Sequence, residues 1–104
     1  MSIFENIFIA KNANIYFDGK VTSRSLTLSD GSTKTLGIMM PGEDEFGTEA
    51  AEVMDITQGK LEVLLPDSDS WQTIQSGELF NVPANSSFKL KVHELTDYCC
   101  SYIK

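Results

Sequence analysis

An all-β single domain, built as a small closed barrel, is what this sequence predicts, and three observations lead to it. Turn-forming clusters recur at short intervals, at 29–31, 41–42, 58–59, 66–69, 76–77 and 83–85. The runs between them are short and either alternate apolar with polar residues or are rich in β-branched side chains. Nothing alternates strand signals with helical ones, and no repeat, linker or low-complexity tract marks a second domain. A chain of 104 residues buries about two thirds of its unfolded surface, enough for one core without staples.

The elements follow in chain order. Ile3, Phe4, Ile7 and Phe8 fall at helical spacing but suit an added edge strand equally well. Tyr16 leads into a strand that carries Lys20 and Arg24. In Glu52-Val-Met-Asp-Ile-Thr57, Glu52, Met54 and Ile56 share one side while Val53, Asp55 and Thr57 share the other. A tight Gln58-Gly59 turn then opens the apolar row Leu61, Val63 and Leu65. Leu64 breaks the polar side of that row, and Trp71, Ile74, Leu79 and Phe80 follow closely. Apolar residues on both faces predict a covered outer surface, most simply covered by a second copy of the chain. The clearest strand is 87–93, with Phe88, Leu90 and Val92 on the core face and Lys89, Lys91 and His93 on the other. His93, the only histidine, is therefore expected at a solvated or interface position. Cys99 and Cys100 are adjacent, so in a strand they point to opposite faces and cannot bridge without distorting the backbone. One is expected in the core and the other at a surface or interface. Neither has a His or Cys at metal-site spacing.

Charge narrows the partners. The net charge is −7 and Arg24 is the sole arginine, which disfavours nucleic acid and anionic membrane surfaces. An anionic substrate must find a locally positive or amide-rich pocket against that field. No apolar run approaches the ~20 residues of a membrane span. The first residues carry neither a basic leader nor a small-residue cleavage site, so a cytoplasmic location is expected.

Glu52 stands out on chemistry alone. If Met54 and Ile56 face the interior, the carboxylate does too, and it must be hydrogen-bonded, protonated or open to a wet cavity. The alternative is a frayed strand end that points Glu52 to water. A polar group at the mouth of a small barrel is where ligands of such folds lodge.

The spacings Glu52 to Gly59 and Gly77 to Pro83 match the two-part signature of the barrels called cupins. Where that signature places three metal-binding histidines, this chain has Phe46, Thr48 and Phe88. Two phenyl rings and a hydroxyl cannot hold a hard or borderline cation, so neither metal nor other cofactor is expected. Aromatic walls with one acid suit a base or sugar ring instead. Asn85 stands where cupins usually place a turn glycine, and Asn tolerates the left-handed conformation required.

More specifically, the chain resembles the single-domain cupins known as pyrimidine/purine nucleoside phosphorylases. The likeness is carried by Tyr16-Phe-x-Gly-Lys-Val21, Gly37-Ile-Met39, Phe46-x-Thr48, Glu52-x-Met54, Gly59, Val63-Leu-Leu-Pro-Asp67, Trp71-Gln72, Phe80-Asn-Val-Pro83 and Tyr98-x-Cys100-x-Tyr102. It covers 14–104 as one jelly-roll (double-stranded β-helix) barrel and leaves 1–13 as an N-terminal extension. The resemblance implies a cytosolic homodimer that splits purine and pyrimidine nucleosides with inorganic phosphate, giving ribose 1-phosphate and free base. In that setting Glu52 would bond the ribose hydroxyls or stabilise positive charge on the sugar. Thr48 would donate to phosphate or sugar, and Phe46, Phe88 and Tyr16 would hold ring faces without reading base edges. Lys20 and Arg24 are the nearest candidates for phosphate, with Tyr102 and Ser101 behind them. The rival expectation is a metal-free barrel that binds a sugar or nucleoside without turning it over. A metal-dependent cupin oxygenase or isomerase and a purely structural dimerisation module are more remote readings.

Overall fold

The computed structural model describes residues 3–103; the outermost positions of the two expected segments, 1–2 and 104, lie outside them. Eleven strands form two facing sheets: β1 Phe8–Ile9, β2 Asn14–Tyr16, β3 Val21–Thr27, β4 Thr33–Met39, β5 Gly42–Gly47, β6 Ala51–Gln58, β7 Lys60–Leu64, β8 Gln72–Gln75, β9 Glu78–Val82, β10 Ser87–Val92 and β11 Thr96–Ile103. The larger sheet has the order β1-β3-β4-β11-β6-β9, with β2 also on β3, and the smaller has β5-β10-β7-β8. All six turn clusters fall at strand ends or between strands, because Gly and Asn supply left-handed turns there; Gly31, Gly77 and Asn85 all have positive φ.

The core lies between the sheets. From the smaller sheet come Leu61, Val63, Phe88, Leu90 and Val92, and from the larger Val21, Met39, Met54, Ile56 and Tyr98. The alternation of β10 thus faces the way its pattern predicts, and so does that of β6. His93 lies exposed, paired with Glu62 at 2.6 Å across the outer side of the smaller sheet. Trp71 is also covered from outside, with the Lys91 ammonium 4.2 Å over its ring.

The N-terminal segment resolves to the edge-strand alternative. β1 and β2 lie one after the other along the same free edge of β3, pairing Phe8 with Thr27 and Asn14 with Ser23. Pairing there satisfies backbone groups that a helix would leave exposed on the sheet edge. The boundary after residue 13 therefore falls between two segments of one sheet edge.

Cys99 departs from its expectation: both thiols are buried, Cys99 at 7% and Cys100 at 3% exposure. β11 is an inner strand of the larger sheet, so Cys99 on its outer face is flanked by Leu36 of β4 and Asp55 of β6. Neighbouring side chains, not a second sheet, cover it.

Gly59 shows why one signature position cannot change. Its φ is +106°, and a Cβ there would sit 2.6 Å from Thr96 Oγ1 and 2.7 Å from the Leu95 carbonyl. Ser76 closes the neighbouring turn onto it, accepting from the Gly59 amide at 3.0 Å. Gly59→Ala is expected to cost about 3 kcal/mol or more, through backbone strain plus overpacking, read as a lower midpoint in urea unfolding.

Candidate functional site

Both sheets contribute to one cavity that opens at the end of the barrel. Its walls include Tyr16, Ser23, Thr35, Met39, Phe46, Glu52, Met54, Phe88, Tyr98, Cys100 and Tyr102. Its volume is about 140 Å³, and it opens to solvent at its mouth.

The larger sheet provides the polar wall. Met54 and Ile56 are buried on the inner face of β6, and period-two geometry turns Glu52 inward with them. Glu52 pairs in register with Tyr102 of β11, and Met54 with Cys100, so acid, thiol and phenol stand together. Burial holds the Glu52 carboxyl above its ordinary range, and a hydrogen bond with the Cys100 thiol pulls weakly the other way. The carboxylate is thus under-solvated and receptive to a donor. Burial pushes the Cys100 thiol up to about 12 and the Tyr102 phenol up to about 12, with the Glu52 charge adding to both. Tyr98 moves up for the same reason, burial. These groups stay neutral and protonated around pH 7. Thr35 and Tyr102 hydroxyls lie 3.5 Å apart, and Ser23 accepts from the Asn14 amide at 3.1 Å.

The smaller sheet provides the aromatic wall. Phe46 of β5 and Phe88 of β10 are cross-strand partners whose rings stack at 5.6 Å and 24°. Phe17 meets Phe46 edge-on at 5.4 Å and Tyr16 does so at 6.5 Å. Phe17, Asp18 and Gly19 make a left-handed turn, with φ of 51°, 56° and 92°. A phenylalanine in that region is unusual, and its contact with Phe46 holds it there.

The structure brings together five of the residues singled out from sequence, Glu52, Phe46, Phe88, Tyr16 and Tyr102. It places the other three elsewhere. Arg24 faces outward, because Ser23 beside it faces in; it lines a shallow dip with Thr22, Leu36, Ile38 and Asp97. Lys20 precedes β3, is exposed and is absent from the cavity walls. Thr48 is spent on structure: its hydroxyl donates to the Pro83 carbonyl at 2.8 Å and accepts from the Ser86 amide at 3.1 Å, tying β5 to the β9–β10 turn. Thr48→Val is expected to cost about 1–2 kcal/mol of stability by removing both hydrogen bonds of its buried hydroxyl, and to slow turnover far less than a change at Glu52. Denaturation and steady-state rates on the one variant check both halves.

Sequence reasoning missed Ser23 and Thr35, and it passed over Asp44, which lies outside the described cavity walls. Asp44 shares the inward parity of Phe46; it is buried, its Oδ2 has no partner, and burial raises its carboxyl against the opposing pull of Lys20. That shared parity was the available signal. Ser23 and Thr35 are short polar residues in short strands, and only the pairing of β3, β4 and β11 aligns them with Tyr98 and Cys100.

As a metal site the cavity fits poorly. No three His, Cys, Asp or Glu side chains converge among the described residues, and phenyl rings take two of the cupin ligand positions.

The sequence pattern of the pyrimidine/purine nucleoside phosphorylase family matches residues 11–102. The protein of that name from Syntrophotalea carbinolica is 58% identical over 104 residues, spanning 100% of both chains. Among solved structures, a protein of unknown function from Acinetobacter sp. ADP1 superposes with a TM-score of 0.94 at 34% identity, over 97% of this chain and 98% of that one. The cupin domain of Schizosaccharomyces pombe Cnp3, 18% identical, superposes with a TM-score of 0.67 over 89% of this chain and 69% of its own, a likeness of fold.

Proposed function

The chain belongs to the pyrimidine/purine nucleoside phosphorylase family, and from that premise we propose how its barrel does the work. It cleaves purine and pyrimidine nucleosides with inorganic phosphate, giving ribose 1-phosphate and free base. The observation that carries the assignment of the site is a lone carboxylate facing a stacked phenylalanine pair inside one cavity.

Phosphorolysis at a ribosyl carbon passes through an oxocarbenium-like state, with the nucleophile on one face as the base departs from the other. Glu52 is the catalytic residue: its carboxylate faces the sugar, bonds ribose hydroxyls and stabilises the positive charge that develops on the ring. Phe46, Phe88 and Tyr16 hold flat faces, which bind any base by stacking and leave its edges unread. Broad base acceptance follows. Thr35 and Tyr102 supply neutral hydroxyls to sugar or phosphate.

The working unit is a homodimer in this reading. Leu36, Ile38, Leu79 and Ile103 stand 36–53% exposed on the outer face of the larger sheet, apolar side chains that a second copy would cover. Light scattering should give twice the chain mass of 11.5 kDa. Among the described residues no helix is long and apolar enough to cross a membrane. Ribose 1-phosphate is an anion that does not cross bilayers unaided, and we place the reaction in the cytoplasm.

Incubating the protein with uridine or inosine, with and without phosphate, tests the activity. Free base and ribose 1-phosphate should appear together and only with phosphate. Binding without release would leave a sugar-binding barrel, and release without phosphate would make it a hydrolase.

A further inference from the structure

A phosphate-consuming site normally carries a cation, yet no lysine or arginine stands among the described walls of this cavity. Arg24 faces the opposite side of β3 and Lys20 lies outside the walls. The walls instead offer uncharged donors: the hydroxyls of Ser23, Thr35, Tyr98 and Tyr102. Against them stands a single acid, Glu52, which when ionised accepts hydrogen bonds and cannot donate. The Cys100 thiol beside it is a weak donor. A tetrahedral anion without a proton would set acceptor against acceptor beside Glu52, with no cation to offset the repulsion. An anion that still carries a proton turns the same contact into a hydrogen bond.

We propose that the cavity selects its anion by proton content: Glu52 accepts a hydrogen bond from the O–H of hydrogen phosphate while the hydroxyl wall donates to its other oxygens. The inference rests on the phosphorolytic reading above and adds which oxyanions that site admits. Arsenate, which keeps a proton near neutral pH, is admitted; sulfate, of similar size and shape but fully deprotonated, is refused.

The reaction then balances. A phosphate oxygen forms the new C1′–O bond as the C1′–N bond breaks, and the electron pair leaves on the base nitrogen. Hydrogen phosphate keeps its proton in the hydrogen bond to Glu52, which stays ionised against the developing positive charge. The base leaves as an anion and takes a proton from solvent as the sugar phosphate releases one. A neutral nucleoside and a dianion become a neutral base and a dianionic sugar phosphate, with no net acid consumed.

The test is competition at constant ionic strength with the native protein, using uridine and inorganic phosphate. Sulfate at about tenfold the phosphate KM should leave the initial rate unchanged, and arsenate should replace phosphate in releasing uracil. Sulfate competing with phosphate at comparable concentration, or arsenate failing to support release, overturns the inference while phosphorolysis itself stands. Absence of any phosphate-dependent release overturns the phosphorylase reading and this one with it. Glu52→Gln gives a second arm, since its amide donates where the carboxylate accepted. On the residual rate, sulfate should become a competitive inhibitor, its Ki lowered at least about tenfold from the native value. A folded variant that still refuses sulfate overturns the proposal.

Discussion

Glu52→Gln is expected to lower kcat for uridine and inosine about 10²- to 10³-fold while leaving the barrel folded, the usual cost of removing one preorganised electrostatic group at a reacting centre. The amide keeps the shape and loses the charge that faces the sugar. Both substrates should suffer alike, because the acid addresses the ribose and not the base. Steady-state rates with the two nucleosides decide it, and a folded variant working at the parent rate would remove Glu52 from the mechanism. Stability should move the other way. Burial raises the Glu52 carboxyl in the folded state, so folding opposes its ionisation. That penalty is absent below the unfolded carboxyl range, grows as pH climbs through it, and is complete above the folded value. The variant should therefore melt higher than the parent at pH 8, with the difference closing as the pH falls toward 4. A functional acid that lowers the stability of its own barrel is a familiar trade.

The second large effect is on architecture and binding together. Phe88 is 3% exposed, stacks on Phe46 at 5.6 Å and meets Phe80 edge-on at 6.0 Å, so one ring serves the core and the cavity wall at once. Phe88→Ala removes a buried aromatic between both sheets and should cost about 3–5 kcal/mol. For a domain of this size that is a fall of more than about 12 °C in Tm. Below the new Tm, the nucleoside KM should rise about five- to tenfold as the stacking wall is lost, while kcat falls less. Calorimetry and kinetics on the same preparation separate the two. A variant that loses stability but keeps its KM would confine Phe88 to the core.

Strand-level features were readable because their causes are local. Period-two alternation turned Glu52 to the same side as Met54 and Ile56, and it put Phe88 with Leu90 and Val92. The turn clusters bounded the strands for the same reason. What escaped depends on partners far along the chain. Thr48 looked like a free hydroxyl beside Phe46, yet Pro83 and Ser86 close on it from the β9–β10 turn. Arg24 and Lys20 are the nearest cations in sequence, but parity on β3 sends Arg24 outward, which only the inward Ser23 reveals, and Lys20 stands ahead of the strand outside the cavity walls. Cys99 is buried on the outer face because β4 and β6 flank β11 on both sides, a neighbourhood set by sheet order. The segment around Phe8 could not be decided from spacing, since the free edge of β3 that recruits it is itself a product of the fold.

Cys99 forms a built-in gauge of barrel opening. It lies on the outer face of an inner strand, where burial raises its thiol and shields it, whereas Cys100 stands in the wall of the cavity. Iodoacetamide should therefore reach Cys100 also through the cavity mouth, but label Cys99 at a rate set by release of β11 from its neighbours. Mass spectrometry of partly alkylated protein would then show singles at Cys100 first, which makes the adduct on Cys99 a direct count of molecules whose central strand has let go.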